Sequence, residues 1–350
     1  MSASDTSQAA LAGYDRLIRR RLLLLAVMTC GIAISFVVDL ASGPSRLPIA
    51  DVLAALRGTA AADAPASIIV WEIRLPAAIM AILVGAALAL AGAEMQTTLD
   101  NALASPFTLG MASAATFGAA LWIVAGLSVP GIPDDWMLPL NAFLCALGSV
   151  FLLQAAARSR QAGPETLVLF GIALFFTFNA LVAILQFVAS DQALQQLVFW
   201  TMGSLSRADW TTIRLLGLAL VVVVPFAMMA AWKMTALRLG DERARSFGID
   251  VAKLRWYSLV RISVLTATSV AFVGTIAFVG LVGPHLARLV IGEDHRFFLP
   301  ASMVAGALVM SLASVVSKTL IPGVEIPIGL VTALIGVPFF VSVVIGRRRG

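Results

Sequence analysis

LGDERARSFGIDVAKLR, residues 239–255, is the longest strongly charged stretch in a chain that is otherwise mostly apolar. From Lys233 to Arg255 there are six basic residues (Lys233, Arg238, Arg243, Arg245, Lys253, Arg255) and three acidic ones (Asp241, Glu242, Asp250). Long apolar runs lie on either side. Asp241 and Glu242 stand where a short helix would begin and Gly248 where it would end, an order favoured by the helix dipole and by the left-handed position that closes a helix. The stretch therefore predicts one short solvated helix between two membrane spans. Its cations either only hold the loop in the cytoplasm or dock a cytoplasmic partner, and the rest of the chain has to decide between these.

Working outward, 60% of the 350 residues are hydrophobic and 12% charged, with a mean hydropathy of +0.97. A soluble domain carries about 25% charged residues, so this chain cannot cover itself with polar surface and belongs in a bilayer. At about 20 apolar residues per span, the length accommodates about ten spans with short loops. The net charge of +5 is no nucleic-acid signal, because the basic residues alternate with spans. Cys30 and Cys145 fall inside apolar runs, which gives no disulfide framework. Arg16 and Arg19–Arg21 precede a long apolar run without a small-residue cleavage site, which predicts a retained first span.

The apolar runs predict spans at 22–40, 76–95, 108–125, 138–157, 166–189, 212–232, 257–274, 276–291, 299–320 and 329–345. Residues 1–14 are polar and small and are predicted to be unstructured. Between the first two spans, Ile49, Val52, Leu53 and Leu56 fall at helical spacing and predict a short helix at the interface. A further short helix is expected before Gly203. The second span is dense in Gly and Ala, which allow close helix approach in lipid. Thr177, Asn179 and Gln186 either face a polar bundle interior or form interhelical hydrogen bonds. Counted on this topology, 18 of the 24 Lys and Arg residues lie on or next to the inner side, a bias that places both termini in the cytoplasm. The six on the outer side are Arg46, Arg57, Arg74, Arg207, Arg214 and Lys318.

Absent chemistry narrows the function. None of the three Lys residues follows a Gly, so there is no phosphate-cradling loop of the G-x-x-x-x-G-K type. His285 and His295 lack neighbouring Cys or carboxylate clusters. His285 reads as a packed or helix-end residue, and His295 beside Asp294 as a solvated loop pair. Ionisable residues deep in the spans are almost absent. Glu94 lies at the inner end of its span and Asp39 near the outer end of its own, which argues against a proton- or sodium-coupled carrier. The driving force would then come from another protein, acting on 239–255.

Five stretches, in order, carry a resemblance that runs from the second span to the C-terminus. They are WEIRLPAAIMAILVGAALALAGAEMQ (71–96), DNALASPFTLGMASAATFGA (100–119), LGDERARSFGID (239–250), GTIAFVGLVGPHLARLVIGEDHRFFLP (274–300) and EIPIGLVTALIGVPFF (325–340). Together they are similar to the FecCD-type permease subunits of type II ABC importers, which carry ferric siderophores, haem and vitamin B12. The resemblance implies an all-α integral membrane protein of about ten transmembrane helices with the type II permease fold. It would be a multi-pass protein of the bacterial cytoplasmic (inner) membrane.

Its parts would be an N-terminal cytoplasmic tail at 1–21, a permease domain at 22–346 containing a coupling loop at 233–255, and a C-terminal tail at 347–350. Implied partners are two ATP-binding cassette ATPases, a substrate-binding protein and a second permease copy, identical or similar. The chain itself would hold no cofactor and be no enzyme, since ATP and Mg would sit on the partner ATPase. By the same resemblance, Gly240, Asp241, Glu242, Ala244, Arg245, Ser246 and Gly248 would enter the ATPase cleft. Arg74 and Lys318 would dock the binding protein, and Asn101, Ala102 and Leu103 would form the cytoplasmic gate. Ala77 and Ala102 depart from the family's Arg and Pro at those positions. Exposed Arg74 and Lys318 suit steering of an acidic partner, and equally suit snorkelling anchors. The implied activity is ATP-driven import of an iron chelate. The alternatives are haem or vitamin B12 import by the same mechanism, or a stand-alone proton-coupled carrier using Glu94.

Overall fold

A computed structural model describes residues 3–45, 47–59, 61, 63–157 and 164–347. The described residues are mostly helical, with no strand among them and only one isolated bridge, between Ile321 and Val324. In chain order the helices are α1 (Ala3–Ala41), α2 (Ile49–Leu56), α3 (Pro65–Ile68), α4 (Leu75–Thr98), α5 (Met111–Ile123), α6 (Asp134–Ala157), α7 (Pro164–Val188), α8 (Asp191–Thr201), α9 (Trp210–Leu237), α10 (Asp241–Ser246), α11 (Val251–Val273), α12 (Val279–Ile291), α13 (His295–Thr319) and α14 (Ile328–Arg347).

Seven of these segments are long and apolar enough to cross a membrane, and three shorter apolar helices complete the set. Among the described residues the seven and the three together match the ten crossings expected, and an even number would leave both termini on one side. Arg46, Arg158, Arg160, Arg348 and Arg349, used in the charge count, lie outside the described residues.

α4 is the axis of the bundle. Almost every residue in it is buried, and α9, α11, α12 and α13 pack around it. Small residues make this possible. A Cβ at Gly92 would overlap the carbonyl of Gly280 on α12, and one at Gly85 would overlap that of Gly306 on α13. The helix backbones are therefore in direct contact, the packing expected where lipid removes the hydrophobic drive between helices. A π-helical turn, Ile69–Arg74, joins α3 to α4 and lengthens the second crossing back to Pro65.

Three expectations are corrected. The tail predicted to be unstructured is part of α1 from Ala3 onward, because Gln8-Ala9-Ala10-Leu11-Ala12 favours helix and no proline separates it from the first span. α5 and α12 each begin three residues later than the apolar runs suggest, and each has 13 residues. That is about 20 Å of helix, less than the hydrocarbon thickness. Gly110 and Phe278, with φ of 81° and 67°, stand in the left-handed region just before them, so extended or turning backbone carries the chain through the remaining depth. The short helix expected from Ile49, Val52, Leu53 and Leu56 forms as α2, with Val52 buried and Ile49 and Leu53 exposed.

Candidate functional site

The charged stretch folds as expected. Gly240, at φ 99°, turns the chain off α9, and α10 follows with Asp241 and Glu242 in its first turn and Arg243 and Arg245 in its last. At its C-terminus the N–H of Ile249 donates to the Ala244 carbonyl (3.2 Å) and that of Gly248 to the Arg245 carbonyl (2.9 Å). This paired closure requires a left-handed residue between them, and Gly248 supplies it at φ 77°. Asp250 then caps α11, accepting from the Lys253 N–H at 3.0 Å. That bond and the Lys253 ammonium hold its carboxyl below the usual carboxylate range.

The seven residues expected at the ATPase do not share one role. Ala244 is fully buried and, with Ile249, seats α10 on Ala230, Met234 and Leu237 of α9 and on Val251 and Leu254 of α11. Asp241 is half-buried and turned inward, bound by the guanidinium fork of Arg255 at 2.8 Å on both oxygens. Glu242, Arg245, Ser246, Gly240 and Gly248 are exposed. So are Leu239 (52%) and Phe247 (59%), which motif reading passed over. The sequence did not single these two out, since the same stretch also holds Ile249, Val251 and Leu254, which are buried.

The expected gate lies at the end of α4. The Asn101 N–H donates to the Gln96 carbonyl (2.9 Å) and the Asp100 N–H to that of Thr97 (3.3 Å), with Asp100 left-handed at φ 45°. The Asn101 side chain then accepts from the Leu103 N–H at 2.9 Å. With Ala at position 102, the turn is thus braced by an asparagine side chain. Asn101, Ala102 and Leu103 are all half-buried. Asn101 and Ala102 border a polar cavity of about 270 Å³ shared with Gln96, Thr97, Asp100, Arg238, Arg288 and Glu293.

His295, expected in a solvated pair with Asp294, is fully buried. Its ring lies 2.7 Å from Thr97 Oγ1 and 3.2 Å from Thr235 Oγ1. Asp294 caps α13, accepting from the Arg296 N–H at 3.1 Å, and this turns the next residue inward between α4 and α9. The ring of His285 meets that of Phe339 edge-on, 5.3 Å between centroids.

On the outer side, Arg74 and Lys318 are buried, contrary to the expectation of exposed cations. Lys318 Nζ donates to Asp39 Oδ1 at 2.9 Å, and Ser314 Oγ stands 3.0 Å from both oxygens of the same carboxylate. Arg74 donates to the carbonyls of Leu40 (2.8 Å) and Ser45. The reason is Asp39, which in lipid must meet a cation and draws Lys318 inward. Both cations still line one outer cavity of about 330 Å³, with Ala77 and Glu325 among its walls. Arg57 and Arg214 are exposed on that side. Glu94 is equally enclosed, with Arg261 Nε at 2.8 and 3.0 Å from its two oxygens. On α7, Asn179 reaches Ser113 of α5 at 2.9 Å and Thr177 bonds its own helix, while Gln186 is half-buried.

The FecCD transport family profile matches residues 30–346. The vitamin B12 import system permease protein of Serratia proteamaculans (strain 568) is 35% identical over 346 residues, 97% of each chain. The Fe(3+) dicitrate transport system permease protein FecD of Escherichia coli (strain K12) is 35% identical over 280 residues, 80% of this chain and 86% of that one. A solved ABC transporter of proposed metal-chelate type, in an inward-facing conformation, superposes with a TM-score of 0.80 at 30% identity, covering 93% of this chain and 99% of that one. With seven membrane-length apolar helices and three shorter ones among its described residues, and a family profile matched along most of its length, this multi-pass membrane protein belongs to the FecCD transport family of ABC importer permeases.

Proposed function

We propose that the chain is the permease subunit of an ATP-driven importer that carries an iron chelate of the ferric siderophore class across a bacterial cytoplasmic membrane. The observation that carries this reading is α10, a rigidly seated helix whose outer face offers Glu242, Arg245 and Ser246 between two exposed apolar side chains, Leu239 and Phe247. A topology signal needs only the cations, whereas exposed Leu239 and Phe247 beside a charged helix face also suit burial against a protein partner. Two ATPase subunits, each with its own ATP and Mg, would grip that helix on two copies of the permease.

The domain limits follow, with a helical body at 22–346, the coupling loop at 233–255, and tails at 1–21 and 347–350. Binding-protein docking is assigned to the outer cavity of Arg74 and Lys318, with Arg57 and Arg214 as exposed cations of the same side. Haem has less support as cargo, since His295 is enclosed by two threonines and His285 packs on Phe339. A proton-coupled carrier would need a carboxylate free to cycle, and Arg261 occupies both oxygens of Glu94.

The test is purification with co-purifying proteins in mild detergent, followed by ATP hydrolysis and uptake into vesicles. Recovery of an ATPase that is lost with Glu242→Arg or Phe247→Asp supports the reading. A chain recovered alone, with ATP-independent uptake, overturns it.

A further inference from the structure

Arg255 stands on α11, outside the stretch that the family motif covers. Its two terminal nitrogens hold the two carboxylate oxygens of Asp241 on α10, each at 2.8 Å. Its Nε donates to the carbonyl of Thr98, the last residue of α4, at 3.1 Å. The closing bonds of α4 engage the Gln96 and Thr97 carbonyls and leave that of Thr98 to an outside donor, and a guanidinium there also complements the negative end of the helix. The side chain is only 15% exposed. Three residues past Thr98 begins the turn of Asn101, Ala102 and Leu103. Further along the same pair of helices, Arg261 of α11 grips Glu94 of α4.

We propose that Arg255 is the positioning residue that transmits displacement of α10 to the gate turn, by holding the carboxylate of Asp241 and the end of α4 in one rigid fork. This rests on the readings of α10 as the ATPase-binding element and of Asn101, Ala102 and Leu103 as the gate. A bidentate pair fixes direction as well as distance, and the third bond makes the end of α4 follow. A lysine could neutralise Asp241 but could not make all three bonds in this geometry.

The experiment uses the assembled complex, needs no cargo, and carries one spin label per permease at Ala102→Cys in a background without Cys30 and Cys145. Distances between the two labels are measured without nucleotide and after trapping with ATP and vanadate. In the parent the distance is expected to shift on trapping, and a parent that traps nucleotide without a shift overturns the proposal. Arg255→Ala is expected to trap nucleotide, because the outer face of α10 is intact, and to lose the shift. The exchange Asp241→Arg with Arg255→Asp restores the ion pair but offers no donor to Thr98, so it is expected to recover thermal stability and not the shift. Arg255→Lys should behave likewise. A full shift in Arg255→Ala, or its recovery by the exchange, overturns the proposal. Absence of an ATPase from the parent complex would instead defeat the functional reading beneath it.

Discussion

Lys318→Met separates a structural from a docking role for the outer cations. Asp39 is completely buried and Lys318 nearly so, 2.9 Å apart, with a serine hydroxyl as the carboxylate's other donor. Removing the ammonium leaves a charge that Ser314 alone cannot compensate. Loss of one partner of a buried pair costs about 3–5 kcal/mol. Arg74, bonded to the next residue's carbonyl, can approach and keeps the expectation near 3 kcal/mol, at the bottom of that range. Asp39→Asn combined with Lys318→Met removes both charges and should lie within about 1 kcal/mol of the parent. Unfolding is followed by size-exclusion recovery after heating in detergent, and binding-protein affinity is measured on the stable double variant. A Lys318→Met chain as stable as the parent would refute the buried pairing. A stable double variant that has lost only its binding protein would show that the cation serves docking.

Gly92→Ala drives a methyl into the Gly280 backbone, which no rotamer change relieves. Overpacking of about 3 kcal/mol less about 1 kcal/mol of helix propensity gained leaves a net loss near 2 kcal/mol, whereas Gly217→Ala, with open space around it, should be neutral or stabilising in the same heating assay. Asp294→Ala removes the cap of α13 and should cost about 1 kcal/mol at neutral pH. The Arg296 guanidinium, donating to Asp294, holds its carboxyl below the usual range, so this stabilisation is present above the unfolded value of about 3.9 and is lost as pH falls through the lower folded value. Thermal scans of parent and variant should therefore converge in acid, and a gap that persists there would count against the cap.

Runs of apolar residues and the placement of arginines were enough to read the ten crossings, the shared side of the termini, the short helix α2 and the boundaries of α10, because each depends on composition or on neighbours a few residues apart. Gly248 likewise announces the turn it makes, while the turn at Gly240 emerged only from its φ of 99°. Which side chains meet was not legible. Lys318 and Asp39 are separated by 279 residues, His295 and Thr97 by 198, Arg261 and Glu94 by 167, and Arg255 and the Thr98 carbonyl by 157. In a span that is apolar on every face, periodicity does not say which face is inside. A cation near a membrane surface therefore reads as exposed until the carboxylate that draws it inward is placed beside it. The late starts of α5 and α12 have the same origin, since their sequences are apolar from the beginning and only the packing of backbone against backbone decides where helix can form.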